Sequence, residues 1–535
     1  MTVTGLPDNA APHRREVLKM AAGLGLVGFA PKRLAAQSVP AFRMALAEGI
    51  ADDPGLSIFY RETGYAPVWT GADHEARRAA LVSALSRAGD HGLPLGRYDL
   101  DGLIAAYHDA GSERDRGLLE ARTSRVFTRY ARDISSGVLE PGEIVEQIVR
   151  TLPRPDTAAL MRGFVVAEPM GFLRSLVPAT PEYGRLLRAI FDMKATIARG
   201  GWGPAVRTGN LRPGDSGASV VQLRNRLISM GYLPGRATAS YDQSIQNAVM
   251  AFQSAHGITA DGIAGQTTID VLDVSAEERL KSMVVALERE RWLNRPRGAR
   301  HIWVNLADFT SQIMDDDLVT LDTVSIIGSP PDDMQTPEFS HRMTYLEVNP
   351  DWTLPRSIVA RSYWNNLVAG GAGHLQIVDS AGRVVPRSSI NFARYNARNF
   401  PYNLRQPPGP TNPLGTVKFM FPNPWAIYLH DSPERGLFGN SQRTYSAGCI
   451  RLNDPHDFAY ELLSRQSADP VGLFQSVLRS GQQTRINLEE PVPVHLEYRT
   501  AFTKATGELH FRPDVYRRDA RLYAALERLG AVVSA

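Results

Sequence analysis

Apolar positions along the chain change their period part-way through. From residue 39 to 199 they recur at helical spacing. In residues 74–88, Ala80, Leu81, Ala84 and Leu85 share one face, and Gly89 and Gly92 follow as stop signals. Residues 118–134 repeat the pattern before Ser135-Ser136-Gly137. His91 and His108 are isolated histidines and read as structural. This predicts a helical scaffold over 38–205 that carries no chemical constellation.

Residues 206–274 predict a separate three-helix unit. The turn cluster Arg212-Pro213-Gly214-Asp215-Ser216-Gly217 is suited to capping a first helix that buries Val220, Leu223, Leu227 and Met230. A second helix over 243–256 buries Ile245, Ala248, Val249 and Phe252 and ends at Gly257. Asp261-Gly262-Ile263-Ala264-Gly265 then turns into a short third helix from Thr267. A connector helix is expected within 275–300.

Beyond it the period becomes that of strands, over 301–306, 318–327 and 344–348, punctuated by Pro330, Pro331, Pro350 and Pro355. The long segment 357–406 contains Gly370-Gly371-Ala372-Gly373 and is expected to be a lid over a site. Strands at 418–421 and 425–429 lead to His430, and a helix follows at 454–465. The β-rich domain is thus placed at 301–485. A strand pair (492–502 and 509–511) and a helix at 517–529 make a terminal unit, 486–535, packing on the scaffold. The fold class predicted is multidomain α+β.

Composition narrows this little. The 535 residues are 43% hydrophobic and 21% charged, which fits several globular domains and excludes wholesale disorder. Fifty-nine basic against 56 acidic residues leave +3, too balanced for a nucleic-acid partner. One cysteine excludes an intrachain disulfide framework and a multi-thiolate metal site. Arg14-Arg15 precede an apolar segment of eleven residues, 20–30, too short to span a bilayer but suited to a signal h-region. Residues 1–37 resemble a twin-arginine export signal, with Val17 where Phe is usual and Leu34-Ala35-Ala36-Gln37 as cleavage site. A periplasmic protein with no stable membrane span after export is expected.

The candidate chemistry lies in one stretch. Cys449 sits in Ser446-Ala447-Gly448-Cys449-Ile450-Arg451, and His430 lies nineteen positions upstream at the end of an apolar run. A strand ending in histidine and a Gly-Cys turn can bring an imidazole onto a thiol, which a weakly ionised cysteine needs to act as nucleophile. The amides of Gly448 and Cys449 are candidate oxyanion donors. A backbone carbonyl or Ser446 is the candidate for orienting the imidazole. Asp431 is discounted, because neighbouring side chains on a strand point to opposite faces. A zinc site at His430, His456 and Asp457 lacks ligand spacing.

These residues resemble known families. GDSG, AVMAFQ and DGIAGQTT resemble the signature of three-helix peptidoglycan-binding domains, with Ala239-Ser240-Tyr241-Asp242 replacing the usual Asp-Gly-Phe-Gly turn. The histidine, spacer and SAGCIR run resembles the L,D-transpeptidase motif, with Ala447 where many members carry histidine. The stretches 335–340, 349–352 and 410–415 match as well. The resemblance is to the large subgroup with scaffold, peptidoglycan-binding domain and lid.

It implies that Cys449 attacks a meso-diaminopimelate carbonyl in a tetrapeptide stem, expels D-alanine, and passes the acyl group to another stem as a 3→3 cross-link. It implies peptidoglycan stem peptides and glycan strands as partners, no cofactor, and acylation by carbapenems. Arg451, Arg443 and Tyr428 are its candidate substrate-binding residues. Transfer to water or to another acceptor, and a non-catalytic wall-binding role, are the rival readings.

Overall fold

The computed structural model describes residues 40–207, 210–235 and 237–531; the export-signal reading of 1–37 lies outside them. The scaffold is built around helix Glu113–Ser136, which opens on a capping box. Ser112 Oγ accepts the Asp115 amide at 3.1 Å, and Asp115 Oδ2 accepts the Ser112 amide at 3.0 Å. Trp69, Phe127 and Phe164 stack against one another with ring centroids 4.5–5.4 Å apart. Glu120 is fully buried beneath them, yet its carboxylate accepts the amides of Val68, Trp69 and Thr70 and the Tyr60 hydroxyl. That satisfies a charge that would otherwise be costly to bury.

The three-helix unit comprises Ala218–Ser229, Gln243–Ala255 and Gln266–Leu272, closed over Val220, Leu223, Leu227, Ile245, Val249 and Phe252. Its opening turn differs from expectation. Gly217, at φ +112°, is the N-cap and offers no side chain, while Asp215 folds back to accept the Arg212 amide at 2.7 Å. Buried Tyr241 in the substituted turn donates to the Gly262 carbonyl at 2.8 Å and fastens the two inter-helix turns together.

The expected connector is instead the central helix of the molecule. Ala276–Trp292 is buried from Met283 onward on every side, including Glu288, Arg289, Glu290 and Arg291. Those charges are held by partners from three regions: Arg289 by Asp519 and Glu338, Glu290 by Arg499, and Arg291 by Glu288. Arg518 adds a second ion pair to Glu338 at 3.0 Å.

The sheet of the β-rich domain has nine strands: β1 Arg300–Asn305, β2 Thr310–Asp315, β3 Leu318–Gly328, β4 Phe339–Val348, β5 Val417–Met420, β6 Leu429–His430, β7 Thr444–Ser446, β8 Ile450–Leu452 and β9 Thr484–Glu497. Their order is β7-β3-β8-β6-β5-β4-β9-β1-β2, and β2 pairs again with β3, so the sheet curls back on itself. Strand β9 was expected to lie partly in a terminal unit, but it runs between β4 and β1, because its alternating Leu488, Val492, Val494 and Leu496 fill the core. Only Ala501–Thr503 and Leu509–Phe511 form the outlying strand pair, and Arg518–Arg528 the final helix. The segment predicted as a lid is a folded unit. Its three-stranded sheet (Trp352–Thr353, Asn403–Gln406, Gln376–Val378) encloses a core of its own around Leu367, Ile377, Phe400 and Leu404.

Candidate active site

Strands β6 and β8 run parallel, with Leu429 opposite Ile450 and His430 opposite Arg451. Their alternation divides the two faces. Leu429, Ile450 and Leu452 are fully buried in the core, so His430 and Arg451 share the other face. Lys418 of β5 is opposite His430, and Glu347 of β4 is opposite Lys418, in ion-pair contact at 2.5 Å. Cys449 lies just before β8, beside Tyr428, whose carbonyl accepts the Ile450 amide at 3.1 Å. The Tyr428 and His430 rings meet edge-on at 5.6 Å. One face of three adjacent strands, β8, β6 and β5, thus carries Cys449, Tyr428, His430, Arg451 and Lys418.

The strand expected over 425–429 is shorter than its apolar run suggests. Asn423 Oδ1 accepts the amides of Trp425 and Ile427, and its Nδ2 donates to the carbonyls of Phe421 and Ile427, wrapping those residues into a loop. Ala426 takes φ +53° there, and its carbonyl accepts the Cys449 thiol at 3.6 Å.

The cysteine turn is fixed from within and from below. Ser446 Oγ donates to the Cys449 carbonyl at 2.5 Å and accepts the Gly448 amide at 3.1 Å. Gly448 stands at φ +119°, a conformation that favours glycine. Buried Thr336 donates to the Gly448 carbonyl at 2.7 Å and accepts the Gly328 amide at 3.0 Å. Arg518 in turn donates to the Thr336 carbonyl at 2.7 Å.

Electrostatics here favour neutral forms. His430 is buried, and burial, helped by the Arg451 and Lys418 charges, lowers its pKa to about 3. Its Nδ1 donates to the Asp431 carbonyl at 2.5 Å, because a carbonyl only accepts, and this leaves Nε2 as an acceptor. Cys449 is half-buried: solvent reaches the residue, yet burial of its sulfur raises the thiol to about 11. The Tyr428 amide and hydroxyl and the Arg451 and Lys418 charges all oppose that rise.

Several sequence expectations are redrawn. The imidazole is oriented by the Asp431 carbonyl and not by Ser446, whose hydroxyl is committed to the cysteine turn. The Gly448 amide is engaged by Ser446, whereas the Cys449 amide meets no acceptor among the described residues, so it is the available donor. The Asp431 carboxylate points away, accepting the Thr416 amide and hydroxyl at 2.8 and 2.7 Å. Arg443 is not on the cysteine face; it stacks over Phe309 at 5.2 Å and lines a cavity between domains. Arg451 is on the face, ion-paired to Glu434. His456 bonds Thr416 at 2.8 Å, and among the described residues no group of three His, Cys, Asp or Glu is arranged to hold a metal. Sequence reasoning passed over Lys418, Thr336 and Ala426. Only Thr336 carried a signal, inside the matching stretch 335–340.

Comparison with known proteins agrees with this layout. Residues 54–190 match a scaffold domain, 216–272 a "Putative peptidoglycan binding domain" and 299–473 the L,D-transpeptidase catalytic domain. A "Putative L,D-transpeptidase" of Haemophilus influenzae is 29% identical over 245 residues, covering 45% of this chain and 49% of that protein. The chain therefore spans about half the length of that curated relative. Two solved structures cover 55% of this chain. One, an L,D-transpeptidase of Xylanimonas cellulosilytica, is 15% identical over 99% of that chain, with TM-score 0.18. The other, from Stackebrandtia nassauensis, is 14% identical over 96%, with TM-score 0.22. Behind regions that match a scaffold domain and a peptidoglycan-binding domain, the β-rich domain that carries Cys449 is thus similar to L,D-transpeptidase catalytic domains.

Proposed function

We propose that the protein is a peptidoglycan L,D-transpeptidase that works through a Cys449 thioester and forms 3→3 cross-links outside the cytoplasm. The observation that carries this reading is the shared face of β6 and β8, parallel strands on which His430, with Nε2 left as an acceptor, lies next to the turn that presents half-buried Cys449. In the first half-reaction the thiol turns from the Ala426 carbonyl toward His430 and gives its proton to Nε2. Sγ bonds to the carbonyl carbon of the L-centre of meso-diaminopimelate, the C–N bond to D-alanine breaks, and the imidazolium proton goes to the leaving amine.

The Cys449 amide supports the oxyanion, a contact of a kind worth about 3–4 kcal/mol. The Tyr428 hydroxyl and the Arg451 charge favour the thiolate as it forms. In the second half-reaction the side-chain amine of another stem loses a proton to His430 and attacks the thioester, and the thiol is restored. Arg451 is the residue suited to a stem carboxylate.

The test is incubation with disaccharide-tetrapeptides followed by mass spectrometry. Dimers lighter by D-alanine, absent with Cys449→Ala, are expected; tripeptide alone would assign hydrolysis, and unchanged substrate would overturn the reading.

A further inference from the structure

A large cavity lies apart from Cys449. It encloses about 1430 Å³ where three domains meet, with walls from the scaffold (Thr180), the peptidoglycan-binding unit (Thr259, Ala260), strand β1 (Trp303), and the outlying strand pair (His510) with its connecting turn (Lys504). That volume exceeds the roughly 300–1,000 Å³ of ordinary small-molecule sites and suits a segment of a polymer.

Its polar groups are incompletely used. Arg443 donates to the Asn440 carbonyl at 2.6 Å, and among the described residues neither it nor Lys504 nor Arg295 has an ion-pair partner. Glu182 and Asp308 of the walls are already held by Arg185 and Arg512. Asp317 and Asp322 remain, and burial raises the Asp322 carboxyl against its hydrogen bond to Gln312 and the nearby Lys504 charge. The balance favours a ligand rich in hydroxyls and amides that brings carboxylates.

We infer that this cavity binds a segment of peptidoglycan strand that still bears its stem peptides, with stem carboxylates against Arg443 and Lys504. The inference rests on the peptidoglycan-binding match of one wall and not on the chemistry at Cys449. Arg443 immediately precedes β7, which leads through Ser446 to the cysteine turn, so the bound strand and the reacting stem lie at the two ends of one short segment.

The test uses the full chain, co-sedimentation with intact sacculi, and competition by peptide-free glycan strands. Ala260→Trp fills the cavity from an exposed loop of the peptidoglycan-binding unit. Arg443→Gln removes the unpaired charge. Each variant is expected to bind sacculi at least about tenfold more weakly, and peptide-free strands to compete poorly. Turnover of a soluble disaccharide-tetrapeptide by Ala260→Trp is expected to be unchanged. Should the protein turn over no substrate at all, sedimentation still reads this site. Unaltered binding by Ala260→Trp would overturn the cavity assignment, and equal competition by peptide-free strands would overturn the carboxylate contacts.

Discussion

The hydroxyl of Thr336 donates to the carbonyl of Gly448 over 2.7 Å, so a buried residue 112 positions away in sequence fixes the peptide that enters Cys449. Thr336→Val keeps the shape but leaves the Gly448 carbonyl and Gly328 amide without this partner. Thermal and denaturant unfolding are expected to show a loss of about 1–3 kcal/mol. The rate of the acyl-transfer step should fall by about tenfold or more with KM little changed, because the turn and not the binding surface has moved. Thr336→Ser should restore most of both; a full-rate Thr336→Val would show that the turn holds itself.

A thiol raised to about 11 beside an imidazole lowered to about 3 is not a preformed thiolate–imidazolium pair. Alkylation of the free protein by iodoacetamide is therefore expected to quicken about tenfold per pH unit from 7 to 10, with no plateau. A plateau at neutral pH would show that the ion pair already exists without substrate.

Four histidines give the fold an early response to acid. Burial lowers His430 and His256 to about 3 and His91 and His495 to about 4, from an ordinary value of 6.5. Between those values the unfolded chain binds protons that the folded one refuses. The stability is thus fully present above about 6.5 and is lost as pH falls through 4 toward about 3. Urea midpoints should start to drop at pH 6.5, before most carboxylates titrate, and His256→Gln should flatten part of that slope.

Glu338 sits between Arg289 and Arg518 and is buried with both. Replacing it with Ala leaves two guanidinium groups short of a partner, and a loss of about 3–5 kcal/mol is expected from chemical unfolding. Glu338→Gln should recover only a part, since it restores hydrogen bonding and not charge.

Much of this architecture was legible in the sequence, because amphipathic period and glycine punctuation are local signals. Leu223 and Phe252 each marked the buried face of their helix, and His430 marked a strand end. The hidden parts depended on distant partners. Nothing in residues 276–292 announces that Glu290 meets Arg499, so a charged helix read as a linker. The run from Trp425 looked like strand because the loop-forming bonds come from the Asn423 side chain. Arg443 looked like a neighbour of Cys449 because a short sequence separation hides the reversal of direction through β7.

The placing of β9 also orders events during synthesis. Cys449, His430 and the turn between them leave the ribosome before Thr484–Glu497, the strand that fills the space between β4 and β1. Until then the sheet has two raw edges and no complete core, and non-local pairings of this kind form slowly. The nascent chain thus carries the Cys449 turn on an unfinished platform, and the sheet closes only after Glu497 has been made.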